Sequence, residues 1–131
     1  MLDIEDICQK AQSLGASDVL ISPDMPVRIR VSGALQSMGS ILTSQDTHDI
    51  VKVLASDKYD EYLECGEADI SMYMKDNIRC RVNIYKAMGK DCCAIRILAS
   101  HIPELPSLGL PSSVGSIPNL RRGLVLVTGE T

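Results

Sequence analysis

Apolar residues at Ile4, Ile7, Cys8, Ala11 and Leu14 recur at the spacing of one helix face, with Asp3 placed to cap the start and Gly15 to stop it. The period then changes. Val19 to Ser22 reads as a short strand, Pro23-Asp24-Met25-Pro26 as a turn, and Val27-Arg28-Ile29-Arg30-Val31 alternates as a half-buried strand does. Gly33 turns the chain into a further extended stretch from Ala34 to Met38. A second helix begins at Thr43 or Ser44 with Ile50, Val51, Val53 and Leu54 on its inward side, and Asp46 complements its first-turn amides. A third, shorter helix is expected from Asp57 to Gly66, burying Tyr59, Tyr62 and Leu63.

From Ala68 to Leu98 the pattern predicts three antiparallel strands, ADISMYMK, IRCRVNIY and CCAIRIL. Ala68, Ile70, Met72 and Met74 share one face of the first, and Cys80, Val82 and Ile84 the matching face of the second. Those faces meet on one side only if paired residue numbers sum to an even value. That requires a loop of odd length, expected as a three-residue loop around Asp76-Asn77. The expected fold class is therefore α+β, an antiparallel sheet with flanking helices.

Beyond Leu98 the texture changes. Pro103, Pro106, Pro111 and Pro118 mark residues 100–118 as a linker with one short helical turn. Gly123-Leu124-Val125-Leu126-Val127-Thr128-Gly129 is an apolar run ending at glycine, the pattern of a strand buried on both faces of a parallel sheet. Such a strand needs neighbours that the remaining residues do not supply. The expected organisation is thus a domain over 1–99, a linker over 100–118, and the start of a second domain over 119–131.

Composition narrows the function classes. A formal net charge of -4 disfavours a general binder of nucleic acid or anionic membrane, and only four Tyr, with no Phe or Trp, leave few rings for base stacking. No stretch approaches the ~20 apolar residues of a membrane span, and the acidic amphipathic start lacks a secretory signal, so the expected location is the cytoplasm. Cys8, Cys65, Cys80, Cys92 and Cys93 are odd in number and form no C-x-x-C pair, which predicts buried free thiols and no metal site.

Two places carry chemistry. If Tyr85 faces Cys92 across the hairpin closed by residues 86–91, Arg81 lies opposite Arg96 on the outward face, with Val82 against Ile95 on the core side. Like charges facing across strands cost up to about 1 kcal/mol, so an anion should compensate. The fork of an arginine suits phosphate oxygens, although solvent, Asp69 or Glu67 would also satisfy the pair. The second place is Leu126-Val127-Thr128-Gly129-Glu130-Thr131, which opens as a G-x-x-x-x-G-K-[ST] phosphate-binding loop does. It includes neither the lysine for the phosphates nor the hydroxyl for magnesium, so an ordinary strand end remains an alternative.

Several motifs together resemble the secretion ATPase superfamily that drives type IV pili and type II secretion, most closely its pilus retraction branch. Gly15-Ala16-Ser17-Asp18 resembles the family's "ASD" element, Arg30-Val31-Ser32-Gly33 its "RvdG" turn, and Arg79-Cys80-Arg81-Val82-Asn83 its "RFRVN" strand. Leu108-Gly109-Leu110-Pro111 is similar to its "LGLP" linker, and residues 123–129 to the strand before its Walker A loop. The likeness runs from residue 15 to 131. It departs where Val19-Leu20-Ile21 replaces a usual His, where Cys80 replaces a Phe, and where Pro23 to Pro26 lacks the "GLPP" wording.

The resemblance implies a PAS-like α+β N-terminal domain followed by the first strand of a RecA-like ATPase domain, the chain ending inside its Walker A loop. It implies that Arg81 and Arg96 reach the γ-phosphate of ATP, and that Gly129 and Thr131 belong to the nucleotide loop. ATP and Mg2+ would be cofactors of the full-length enzyme, none held tightly by this piece, which should be inactive alone. Partners implied are its own C-terminal ATPase domain, neighbouring subunits of a homohexamer, and an inner-membrane pilus platform protein, with no nucleic acid. The protein would thus sit at the inner face of the cell membrane. An assembly or secretion ATPase typically has a domain before the "ASD" element. Only about fifteen residues precede it here, which favours retraction if Met1 is the native start. A PAS-like sensor or an oligomerisation module is the alternative of another class; His48 on a helix and His101 in the linker form no cofactor constellation.

Overall fold

A computed structural model describes residues 3–99 and 102–129, in two units that divide between Ser100 and His101. The helices and strands of the first are α1 (Ile4–Ser13), β1 (Ala16–Ile21), β2 (Pro26–Val31), β3 (Ala34–Ile41), α2 (Ser44–Ala55), α3 (Tyr59–Cys65), β4 (Glu67–Tyr73), β5 (Arg79–Ala87) and β6 (Lys90–Ile97), with a 3-10 turn at Ser56–Lys58 before α3. The strands form one antiparallel sheet in the order β3-β2-β1-β6-β5-β4. The α+β class expected from the pattern is the class found.

Local chemistry sets the helix limits. Asp3 caps α1 by accepting from the Glu5 amide at 2.9 Å. Thr43 caps α2 in a reciprocal box with Asp46, whose carboxylate accepts from the Thr43 amide at 2.7 Å. The stripe that α2 buries is Thr47, Ile50, Val51, Leu54 and Ala55. Val53 lies off that stripe and stands 58% exposed, contrary to the expected inward set. In α3 only Tyr62 is buried, and Leu63, one step around the helix, faces out. The core is otherwise aliphatic, with Val19, Ile21, Ile29, Val82, Ile84, Cys93 and Ile95 on the helix-covered face of the sheet.

Turn chemistry sets the register. Paired positions in β4 and β5 sum to an even number, as in Ala68 with Ile84 and Met72 with Cys80. The Met74 amide donates to the Ile78 carbonyl at 2.9 Å, enclosing the three residues Lys75–Asn77, the loop length that the facing rule requires. Between β5 and β6 the ladder extends to Ala87 and Lys90, so the connection is only Met88-Gly89, shorter than the expected 86–91 loop. Both residues have positive φ, 51° and 76°, the conformation of a type I′ turn that continues the strand twist.

A polar network pins α2 and α3 to the end of the sheet. Asp91 accepts from Tyr62 and lies 2.7 Å from His48 Nδ1, and Lys86 sits 5.7 Å from the centre of the Tyr62 ring. Burial pushes the Asp91 carboxyl up, but the Tyr62 and His48 contacts and the Lys86 charge outweigh it and hold it below its usual range. Of the cysteines, Cys8, Cys80, Cys92 and Cys93 are buried free thiols, as expected. Cys65, at the end of α3, is exposed instead, because a helix this short buries one face position.

In the second unit the described residues form 3-10 segments at Leu105–Leu108 and Ser112–Asn119, where one turn was expected. Residues 124–129 carry no strand pairing among the described residues, and Leu124 and Val127 are 83% and 97% exposed. A run of that composition needs ladder partners on both edges before it becomes an inside strand.

Replacing Ile95, fully buried at the centre of the sheet, by Ala should cost about 3 to 4 kcal/mol in urea unfolding, whereas Val53→Ser should change stability by less than about 0.5 kcal/mol. Equal effects at the two positions would contradict this assignment of the core.

Candidate functional site

The face of the sheet away from the helices carries a row of charges in register. Arg30 of β2 pairs with Asp18 of β1, Asp18 with Arg96 of β6, Arg96 with Arg81 of β5, and Arg81 with Ser71 of β4. The row forms because the alternate residues of the same strands, Val19, Ile95 and Val82, take the core side. Arg81 and Arg96 are thus directly opposite, as the hairpin argument expected, with side chains 66% and 69% exposed. With Asp18, Asp69, Asn83 and Ala94 they line a shallow depression of about 280 Å³.

Carboxylates flank the two like charges. Arg81 Nη2 lies 3.3 Å from Asp69 Oδ2, one of the partners the sequence offered. Arg96 is held differently: its Nε donates to Asp18 Oδ1 at 3.2 Å. The other oxygen, Asp18 Oδ2, accepts from Ser17 Oγ at 2.8 Å and lies 3.4 Å from Arg30 Nε. Arg30 in turn donates from Nη1 to the Gly33 carbonyl at 3.2 Å. Burial pushes the Asp18 carboxyl up, but the Ser17 and Arg96 hydrogen bonds and the charges of Arg96 and Arg30 prevail, holding it below its usual range.

Sequence reasoning did not single out Asp18 or Arg30 as site residues, although both lie in quoted motifs. The missing signal was strand order, since Asp18 meets Arg96 only because β1 pairs with β6. Gly129 ends the exposed run of the second unit, and Thr131 lies outside the described residues. Among the described residues no group of three or more His, Cys, Asp or Glu is arranged to hold a metal ion. A larger cleft of about 530 Å³ opens between α1, α2 and β4, away from the arginines. Its rim carboxylates are already engaged within the fold, Asp3 by Lys75, Asp46 by Thr43 and Asp49 by Gln45.

No protein-family model matches the chain. Over 99% of its length it is 28% identical to the type IV pilus retraction ATPase PilT of Pseudomonas aeruginosa, and 28% to an uncharacterized protein, YggR, of Escherichia coli K12. The type IV pilus ATPase PilU of Pseudomonas aeruginosa is 22% identical over 99% of the chain. The crystal structure of the pilus retraction motor PilT with bound ADP superposes with a TM-score of 0.80 over 92% of the chain at 28% identity. The chain thus resembles the N-terminal domain of PilT-like secretion ATPases in sequence and in fold. The ATPase DotB of Legionella pneumophila shares its fold, at a TM-score of 0.70 over 86% of the chain, covering 33% of DotB, and 22% identity. The chain spans 40% of YggR, 38% of the PilT sequence and 36% of the PilT structure, so it corresponds to the smaller part of each. The motif puts the usual family His at Leu20, which is half-buried and shares the outward face of β1 with Asp18, opposite Arg28 and Ala94, whereas the Phe position is the fully buried Cys80. Only Cys80 therefore puts a smaller group into the core; Leu20 lies outside it.

The Asp18 carboxyl has a lower pKa folded than unfolded, so its stabilisation is complete above the unfolded value of about 4 and is lost as pH falls through the folded value. Asp18→Asn should therefore lower stability by about 1 to 2 kcal/mol at pH 7, with the difference from wild type shrinking below pH ~4. Chemical denaturation across that range measures it, and a constant difference would contradict it.

Proposed function

We propose that this chain is the N-terminal part of a hexameric ATPase that powers type IV pilus retraction, and that Arg81 and Arg96 bind the γ-phosphate of ATP held by a C-terminal motor domain. The observation that carries this reading is the facing pair of arginines, exposed at their tips, on a domain like that of PilT. Two guanidinium groups facing each other favour anions, their exposed carboxylate contacts are readily exchanged, and the planar fork of donors on each suits phosphate oxygens.

ATP would supply the transferable phosphoryl group and Mg2+ would neutralise its oxygens. This domain's contribution would be positive charge aimed at the oxygens on which negative charge accumulates during transfer. Gly129 and Thr131 would belong to the loop that cradles the nucleotide. Residues 100–118 would act as the hinge, letting closure of the domain onto the motor couple hydrolysis to movement. Neighbouring subunits and an inner-membrane pilus platform protein would be the partners, with the hexamer working from the cytoplasm at the inner face of the membrane. Retraction is favoured by the two pilus relatives, PilT and PilU, and above all by PilT, a pilus retraction ATPase.

In the complete protein, Arg81→Ala and Arg96→Ala should each lower ATP turnover about 10²- to 10³-fold while the hexamer still assembles. Wild-type turnover in both variants would remove the arginines from the mechanism. Cells carrying either variant should extend pili but fail to withdraw them; cells that make no pili would point to an assembly motor.

A further inference from the structure

The two arginines are held by carboxylates in different ways. Asp18 grips Arg96 at Nε, on the stem side of the guanidinium, so the terminal nitrogens of Arg96 carry no hydrogen bond within the described residues. Asp69 grips Arg81 at Nη2, one of the terminal nitrogens that a phosphate would use. We propose that Asp18 is a positioning residue, orienting Arg96 so that its terminal fork faces an incoming phosphate, whereas Asp69 competes with that phosphate for Arg81. The inference rests on the reading of the arginine pair given above and assigns the two carboxylates opposite effects on one site.

The surroundings fit this division. Asp18 is itself fixed, its side chain only 18% exposed and its second oxygen bonded by Ser17 and flanked by Arg30. A guanidinium tied to a fixed carboxylate has lost much of its rotamer freedom before any ligand arrives, so less is lost on binding. A contact to Nε and contacts to the terminal nitrogens are compatible on one planar guanidinium, because it presents five donors around its edge. Asp69 is 56% exposed, and nothing but Arg81 bonds its carboxylate among the described residues, as expected of a partner that can be left to water. Its contact takes one of the two N–H groups of Nη2 and draws the guanidinium toward Asp69, so a phosphate must turn the fork away from a carboxylate of its own sign of charge.

The test is steady-state ATP turnover of the complete protein with Asp18→Asn, Asp69→Asn, Arg96→Ala and the double variant Asp18→Asn/Arg96→Ala. Asp18→Asn should lower kcat about 10-fold with little change in KM, and should add nothing once Arg96 is gone. Asp69→Asn should raise kcat/KM about 2- to 5-fold, the range that release from an exposed ion pair commands. If Asp18→Asn does not fold, Asp18→Glu keeps the charge and moves it by one methylene, and should lower kcat in the same way. Wild-type kcat in the folded Asp18 variant beside an impaired Arg96→Ala overturns the positioning role alone. So does an Asp18→Asn loss of equal size with and without Arg96, because an effect that persists without Arg96 does not act through it. A fall in kcat/KM for Asp69→Asn overturns the competition. Unimpaired Arg96→Ala overturns the reading of the site itself.

Discussion

The ladder between β1 and β6 holds the domain together, because it joins the three-stranded N-terminal meander to the three-stranded C-terminal one. On its inner side Val19 meets Ile95 and Ile21 meets Cys93, all fully buried, so the junction is sealed by the same apolar contacts that seat the helices. On its outer side the same register sets Asp18 beside Arg96. A slip of one residue would exchange the two faces, placing charge in the core and losing the facing arginines. The hydrophobic requirement of the core thus specifies where the charged row falls.

That row carries a tension which the protein manages without removing. Two arginines sit opposite one another on exposed strands, and each is answered by a carboxylate at ordinary hydrogen-bonding distance. In water such pairs are weak, and they can exchange partners at small cost. The interior has no comparable slack, since the buried Thr47 is bonded to the Ser44 carbonyl and the partly buried Asp91 at the sheet end to Tyr62 and His48.

The parts legible from sequence were those decided by neighbours along the chain. The Asp3 and Thr43 caps, the alternation of β2 and the three-residue loop between β4 and β5 each follow from chemistry within a few residues. Facing of Arg81 and Arg96 was legible for the same reason, since a hairpin fixes register locally. Asp18 was not found as the partner of Arg96, because nothing local reveals that β1 lies against β6. Val53 and Leu63 were misplaced because a helical face read from periodicity has a soft edge, and a short or shallowly seated helix buries only its centre. The apolar run at 123–129 reads as an inside strand by composition, but strand formation is a property of neighbours as much as of sequence.

The most direct measurement is a structure of the complete protein with Mg2+ and a non-hydrolysable ATP analogue, read for the distances from the Arg81 and Arg96 terminal nitrogens to the γ-phosphate oxygens. The account predicts both within about 3 Å, with Asp69 released from Arg81 and Asp18 still on the Nε of Arg96. A closed nucleotide site with both arginines still facing solvent, and the γ-phosphate neutralised by other groups, would contradict it.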